Sequence, residues 1–308
     1  MDTQIESKTD PRTDSKFRPL LRILRNPFVS LLVLYNLVFY AHFSGNGYMI
    51  VYGTPGPPLL PLLVLGPTGP LVVGAFVIGN ILLVYLSYAH FVERRPVSEL
   101  SLPGMGRELG IGLLIGFGLM TACFLIAIAF GLYRIEGIAS WQNLFKVTWG
   151  TVTTPFGEEL LFRGVVFRIL EGVFGGWVAM VLSSVWFGYA HSGADGETFA
   201  GIAAIALVFG PMLAAPYMLT RRLWMGIGIH LAWNYTMGKV YSGSVSGTGQ
   251  MEGLFKSTFQ GPELLTGGSA GMEGSLIAVL VSLTFTVVVL ILAVRRGTIV
   301  PPSWKLNA

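Results

Sequence analysis

Long apolar runs, separated by short breaks rich in charge, proline or glycine, set the pattern of the chain. Several of these runs approach the roughly 20 residues that a helix needs to cross a bilayer. They predict spans over about 28–43, 71–91, 109–132, 147–170, 173–191, 199–220, 223–237 and 275–294. Pro27 opens the first, a position where a missing N–H costs a helix nothing. The fold this predicts is all-α: a polytopic membrane protein, a bundle of about eight transmembrane helices. Residues 1–26 are polar and read as a disordered cytoplasmic tail, leaving 27–308 as a single transmembrane domain. The stretch 45–70 is rich in Gly and Pro, and its apolar core, 59–65, is too short to span, so it reads as interfacial or re-entrant. Residues 141–146 form a short polar connection, and 241–273, rich in Gly, Ser and Thr, read as an extramembrane loop. No internal repeat is evident, which argues against a transporter built from repeated halves.

Composition strengthens this reading. The 308 residues are 53% hydrophobic and only 12% charged, with a mean hydropathy of +0.66; soluble domains carry about 25% charged residues. The net charge of +4 does not point to nucleic acid, because the basic residues sit at span ends rather than in one patch. Lys16, Arg18, Arg22 and Arg25, then Arg94, Arg95 and Arg107, then Arg168, Arg221 and Arg222, and finally Arg295 and Arg296 all fall on one side of an eight-span drawing. Asp195 and Glu197 fall on the other. The positive-inside rule then predicts a multi-pass protein of the cell membrane with both termini cytoplasmic. Cys123 is the single cysteine, so an internal disulfide and cysteine-based zinc sites are excluded. The start of the chain shows no cleavable signal-peptide pattern.

The candidate chemistry lies in polar residues inside apolar runs. Charges at bilayer depth cost at least a few kcal/mol and are kept for function or to pair with one another. Glu158, Glu159 and Arg163 fall in the fourth run. Glu159 and Arg163 are spaced i and i+4, so they should pair, leaving Glu158 as a desolvated carboxylate suited to general-base work. The plainer alternative is a helix-locking ion pair beside a satisfied glutamate. Phe187 and His191 share a helix face at i and i+4, as do His230 and Asn234. A single buried histidine is usually a satisfied core residue, but the spacing brings these together. Glu158 lies about 16 residues before the turn between the fourth and fifth runs and His191 about 17 after it, so both stand roughly 24 Å from the hairpin tip. One Glu, two His and one Asn meeting in a buried cavity suit the activation of water. There is no His-Glu-x-x-His and no Gly-x-Ser-x-Gly in the chain. Ser183 and Ser184 read as small packing residues of a spanning helix.

The three ordered segments Glu158-Glu159-Leu-Leu-Phe-Arg163, Phe187-Gly-Tyr-Ala-His191 and His230-Leu-Ala-Trp-Asn234 resemble the motifs of the CPBP family. These are Abi-like intramembrane glutamate proteases, comprising type II CAAX prenyl endopeptidases and bacteriocin-processing enzymes. The resemblance covers about 141–239. It implies an endopeptidase without a metal or other cofactor, acting on a membrane-associated peptide or protein within the lipid bilayer. It further implies that Glu158 is the general base, that His191 positions the water, and that His230 and Asn234 form an oxyanion hole. Glu159, Arg163 and Phe187 would be structural or substrate-orienting. Two other readings stand beside it: a non-catalytic membrane scaffold or immunity protein, and a zinc hydrolase with Glu158, His191 and His230 as ligands.

Overall fold

A computed structural model describes residues 19–52, 69–146, 149–193, 196 and 198–306. The first 18 residues of the tail, the segment 59–65, Asp195 and Glu197 lie outside them. Helix α1 (Pro27–Tyr52) is followed by α2 (Gly69–Ser87), which continues as a π-helical turn over Tyr88–Glu93. Next comes α3 (Met105–Ala129). The motif region forms one interrupted rod: α4 (Trp149–Glu159), a π-helical stretch over Leu160–Phe167, and α5 (Arg168–Phe174). Gly175, at φ 80°, makes the sharp turn into α6 (Gly176–Ala190). The next rod runs from α7 (Phe199–Ala204) through a π turn at Ile205–Phe209 into α8 (Gly210–Thr220). α9 (Trp224–Tyr235) extends as a π turn over Thr236–Val240, and α10 (Leu276–Arg295) closes the bundle.

These helices form an all-α bundle, as expected for a polytopic membrane protein. Four stretches are long and apolar enough to cross a membrane by themselves: Gly74–Glu93, Met105–Ala129, Phe199–Thr220 and Leu276–Arg295. Pro27–His42 and Gly176–Ala190 are shorter apolar helices. The two remaining stretches, 149–174 and 224–240, carry Glu158, Glu159, Arg163, His230 and Asn234. Every residue of Leu160–Phe167 is buried. This follows from desolvation, since a charged helix face is tolerated only against protein.

The basic clusters gather at one end. The Arg25 side chain donates to Val92 O at 2.7 Å. Arg168 pairs with Glu93 (2.8 Å), Arg95 with Glu93 and Glu99 (2.6 and 2.8 Å), Arg222 with Glu108 (3.0 Å), and Arg221 with Glu171. Burial alone would raise the Glu99 carboxyl, but its hydrogen bonds with Arg95 and Tyr85 outweigh that and hold it below the usual carboxylate range. The opposite end carries a feature absent from the sequence reading, an antiparallel pair of strands. β1 (Tyr133–Ile138) and β2 (Phe255–Phe259) pair from Tyr133↔Phe259 to Ile138↔Phe255. The segment 241–273, read as a loop, is therefore folded against the bundle, with Tyr241, Leu254, Met272 and Glu273 buried. Its glycines hid this by looking like linker composition, yet they serve close approach: a Cβ on Gly267 (φ 85°) would sit 1.6 Å from Gly271 O.

Parallel helices α3 and α9 touch through their backbones. A Cβ on Gly112 would lie 2.3 Å from Met225 O, and one on Gly116 would lie 2.3 Å from Ile229 O. Small residues permit this approach, and dispersion then holds the pair without any hydrophobic drive from lipid. The contact fixes the height and rotation of α9, which carries His230 and Asn234.

Candidate active site

Glu159 and Arg163 pair at 2.9 Å, both 1% exposed. Arg163 also donates to Gly210 O (3.0 Å), and its guanidinium lies 4.6 Å from the centre of the Phe187 ring. Phe187 thus faces a cation, as aromatic rings favour, and meets Phe162 and His191 edge-on at 4.9 and 4.7 Å. The π-helical stretch that follows Glu159 shifts the hydrogen-bond ladder by one residue, a distortion common at functional sites. Within it, Gly164 O accepts from Arg168 Nε at 2.7 Å and lies 2.9 Å from the Tyr85 hydroxyl. The rod is thereby tied to the basic end of the bundle.

His191 caps the end of α6, and its Nδ1 lies 2.8 Å from Phe187 O. A carbonyl can only accept, so Nδ1 carries the proton and Nε2 is left as an acceptor when the ring is neutral. His230 Nδ1 lies 3.0 Å from Glu159 Oε1, while Nε2 lies 3.7 Å from Glu158 Oε2. The pairing predicted for Glu159 and Arg163 is present, but Glu159 holds His230 as well. Glu158 is 16% exposed.

Glu158, His191, His230 and Asn234 line one cavity of about 370 Å³. Tyr35 and Phe39 of α1, Leu161 and Phe162 form its apolar wall, and Val245, Ser246 and Thr248 close it from the strand-bearing end. A cavity of about 20 Å³, room for about one water, adjoins it and is lined in part by His191, His230, Ser246 and Glu273. All four polar residues singled out from the sequence are therefore brought together, with Glu159, Arg163 and Phe187 behind them.

Residues 139–236 match the family model described as Type II CAAX prenyl endopeptidase Rce1-like. These 98 of the 308 residues are similar to that family. Neither the curated proteins nor the solved structures compared with the chain gave a match. The Rce1-like segment holds all seven residues named from the sequence. Several neighbours of the cavity come from outside it, and sequence reasoning missed them. His42 of α1 is 1% exposed and fills the space over Gly157, where a Cβ would lie 2.2 Å from its Nδ1. It is one of four histidines, it falls in an apolar run, and the rule applied to Glu158 would have flagged it. Glu273, at the mouth of the last apolar run, carried the same signal. Among the described residues no group of three or more His, Cys, Asp or Glu side chains is arranged to hold a metal ion.

Proposed function

We propose that this protein is an intramembrane endopeptidase in which Glu158 activates water to hydrolyse a peptide bond of a membrane-associated substrate. The observation that carries the reading is the convergence of Glu158, His191, His230 and Asn234 on one cavity inside the bundle. Glu158 takes a proton from water as the water oxygen adds to the carbonyl carbon. The same proton passes to the amine nitrogen as the C–N bond breaks. His191, with Nδ1–H engaged by Phe187 O, presents Nε2 to accept the second hydrogen of that water and so aims its lone pair. Asn234 offers amide N–H groups to the developing oxyanion, one helical turn from His230.

His230 can donate from Nε2 only as the imidazolium, because Nδ1 is committed to Glu159. In that form the formal charges of Glu158, Glu159, Arg163 and His230 sum to zero, a balance suited to a low-dielectric site. The apolar wall from Tyr35 to Phe162 fits a substrate whose reacting segment arrives from lipid, and the matched family makes a prenylated CAAX-type peptide the first candidate. A bacteriocin-type leader is the other.

The test is cleavage of a prenylated CAAX peptide by purified protein in lipid. Glu158→Gln keeps shape and hydrogen bonding and should abolish turnover while the protein stays folded. His191→Ala should be nearly as severe. Asn234→Ala should lose about 10²–10³ in turnover, and chelators should have little effect. Full activity in Glu158→Gln would end the proposal. Inactivation by chelator with recovery on zinc would move support to a metal hydrolase, and a wild type inert towards both peptide classes would move it to a scaffold.

A further inference from the structure

Residues 244–249 form a turn across the strand-bearing end of the Glu158 cavity, with Ser244 bridged to Gln250 at its base. Val245, Ser246 and Thr248 line the cavity. The other side of the turn lines an outer cavity of about 510 Å³, which Thr248 also reaches. A single layer of chain thus separates the inner space from the outer one.

One carboxylate holds that layer. Glu273 is 7% exposed. Its Oε2 accepts from the Ser246 backbone N–H (2.9 Å) and hydroxyl (3.0 Å), and its Oε1 accepts from Trp233 Nε1–H (2.9 Å). Trp233 is three residues after His230 and directly before Asn234. The same side chain therefore grips the turn and the helix that bears two of the proposed catalytic groups. Ser246 stands at φ 45°, a left-handed conformation that a residue with a Cβ adopts only when its surroundings hold it there. Both partners of Glu273 are donors, so only a group with two acceptor oxygens satisfies them; an amide would set its NH2 against one.

We propose that Glu273 is a positioning residue that latches the 244–249 turn as a cover over the Glu158 cavity, so that Val245 and Ser246 decide which side chain fits beside the scissile bond. The proposal rests on the peptidase reading for its consequence in catalysis, but not for the latch itself. Closing such a cover excludes bulk water from the reacting bond, and opening it connects the inner cavity to the outer one.

Two measurements test it separately. In a Cys123→Ser background, Val245→Cys places a thiol that lines the inner cavity and not the outer one. A water-soluble maleimide should modify it slowly with Glu273 intact. In Glu273→Gln it should react roughly 10- to 100-fold faster, as loss of one charged hydrogen bond implies for an opening equilibrium. Ser246→Ala, which removes only the hydroxyl bond, should shift the rate in the same direction by less, and covers the case in which Glu273→Gln fails to fold. Equal labelling rates in folded wild type, Glu273→Gln and Ser246→Ala would overturn the latch. On peptides varied beside the cleaved bond, Glu273→Gln should raise KM more than it lowers kcat and should narrow the differences between peptides. Faster labelling with unchanged KM and unchanged selectivity would overturn the positioning role. If wild type cleaves no peptide, the labelling still decides the latch and the peptidase reading alone fails.

Discussion

Glu158 and Glu159 are adjacent and chemically identical, yet the fold gives them opposite work. Glu159 is 1% exposed and committed to both Arg163 and His230. Glu158, one residue earlier and about 100° round the helix, faces the cavity. Removing one partner of a buried ion pair strands the other charge and typically costs about 3–5 kcal/mol. Arg163→Ala should therefore lower the thermal stability of the purified protein, whereas Glu158→Gln should melt near wild type. Thermal unfolding in one detergent or lipid checks both; a stable Arg163→Ala beside a collapsed Glu158→Gln would reverse the two roles. The Glu159–Arg163 pair was legible because i and i+4 are neighbours on any helix. The bond from His230 to Glu159 was not, because it depends on where α9 stands beside α4, and no local spacing reports that. Nor could the sequence say that Gly157 is bare because the His42 ring fills its place.

The elements were most legible where hydrophobic length and backbone chemistry agree. The apolar run 199–220 emerges with the same bounds as α7 to α8, interrupted by the π turn at Ile205–Phe209 just before Pro211. Pro211 lacks an N–H, so the turn before it cannot close in the ordinary way. The strand at 133–138 was missed because its partner lies more than a hundred residues on, and Tyr-Arg-Ile-Glu-Gly-Ile alone reads as a polar connection. The closest helix contact was also hidden, since glycines are common throughout this chain. Gly116 and Gly118 look alike in sequence, but a Cβ on Gly116 meets Ile229 O at 2.3 Å and one on Gly118 meets nothing within 4 Å. Gly116→Val should push α9 away from α3, at about 1–3 kcal/mol or more, and should depress turnover by displacing His230 and Asn234. Gly118→Val should leave both melting temperature and activity close to wild type. Equal effects from the two would show that the α3–α9 contact does not set the position of α9.

At the scale of the whole molecule, the two ends are chemically distinct. Arg25, Arg95, Arg168, Arg221 and Arg222 are tied together at one end by ion pairs and backbone contacts, and the segment after α10 joins them where the Ser303 hydroxyl donates to Val173 O. The strands and the 244–249 cover occupy the other end. The charge pattern foretold this clustering because cations are held near the surface on which they were left during insertion. Which way the molecule faces then decides which peptides reach the cavity. With the basic end in the cytoplasm, the cover and the outer cavity lie on the opposite side, where a peptide would meet them first. In a Cys123→Ser background, an impermeant thiol reagent added to intact cells should label Lys256→Cys, and should label Arg107→Cys and Arg296→Cys only after lysis. All three replaced side chains are exposed. The reverse pattern would turn the molecule over, place the cover in the cytoplasm, and make a cytoplasmic lipidated C-terminus the better-placed substrate. The labelling result thus selects which peptide class the cleavage assay should try first.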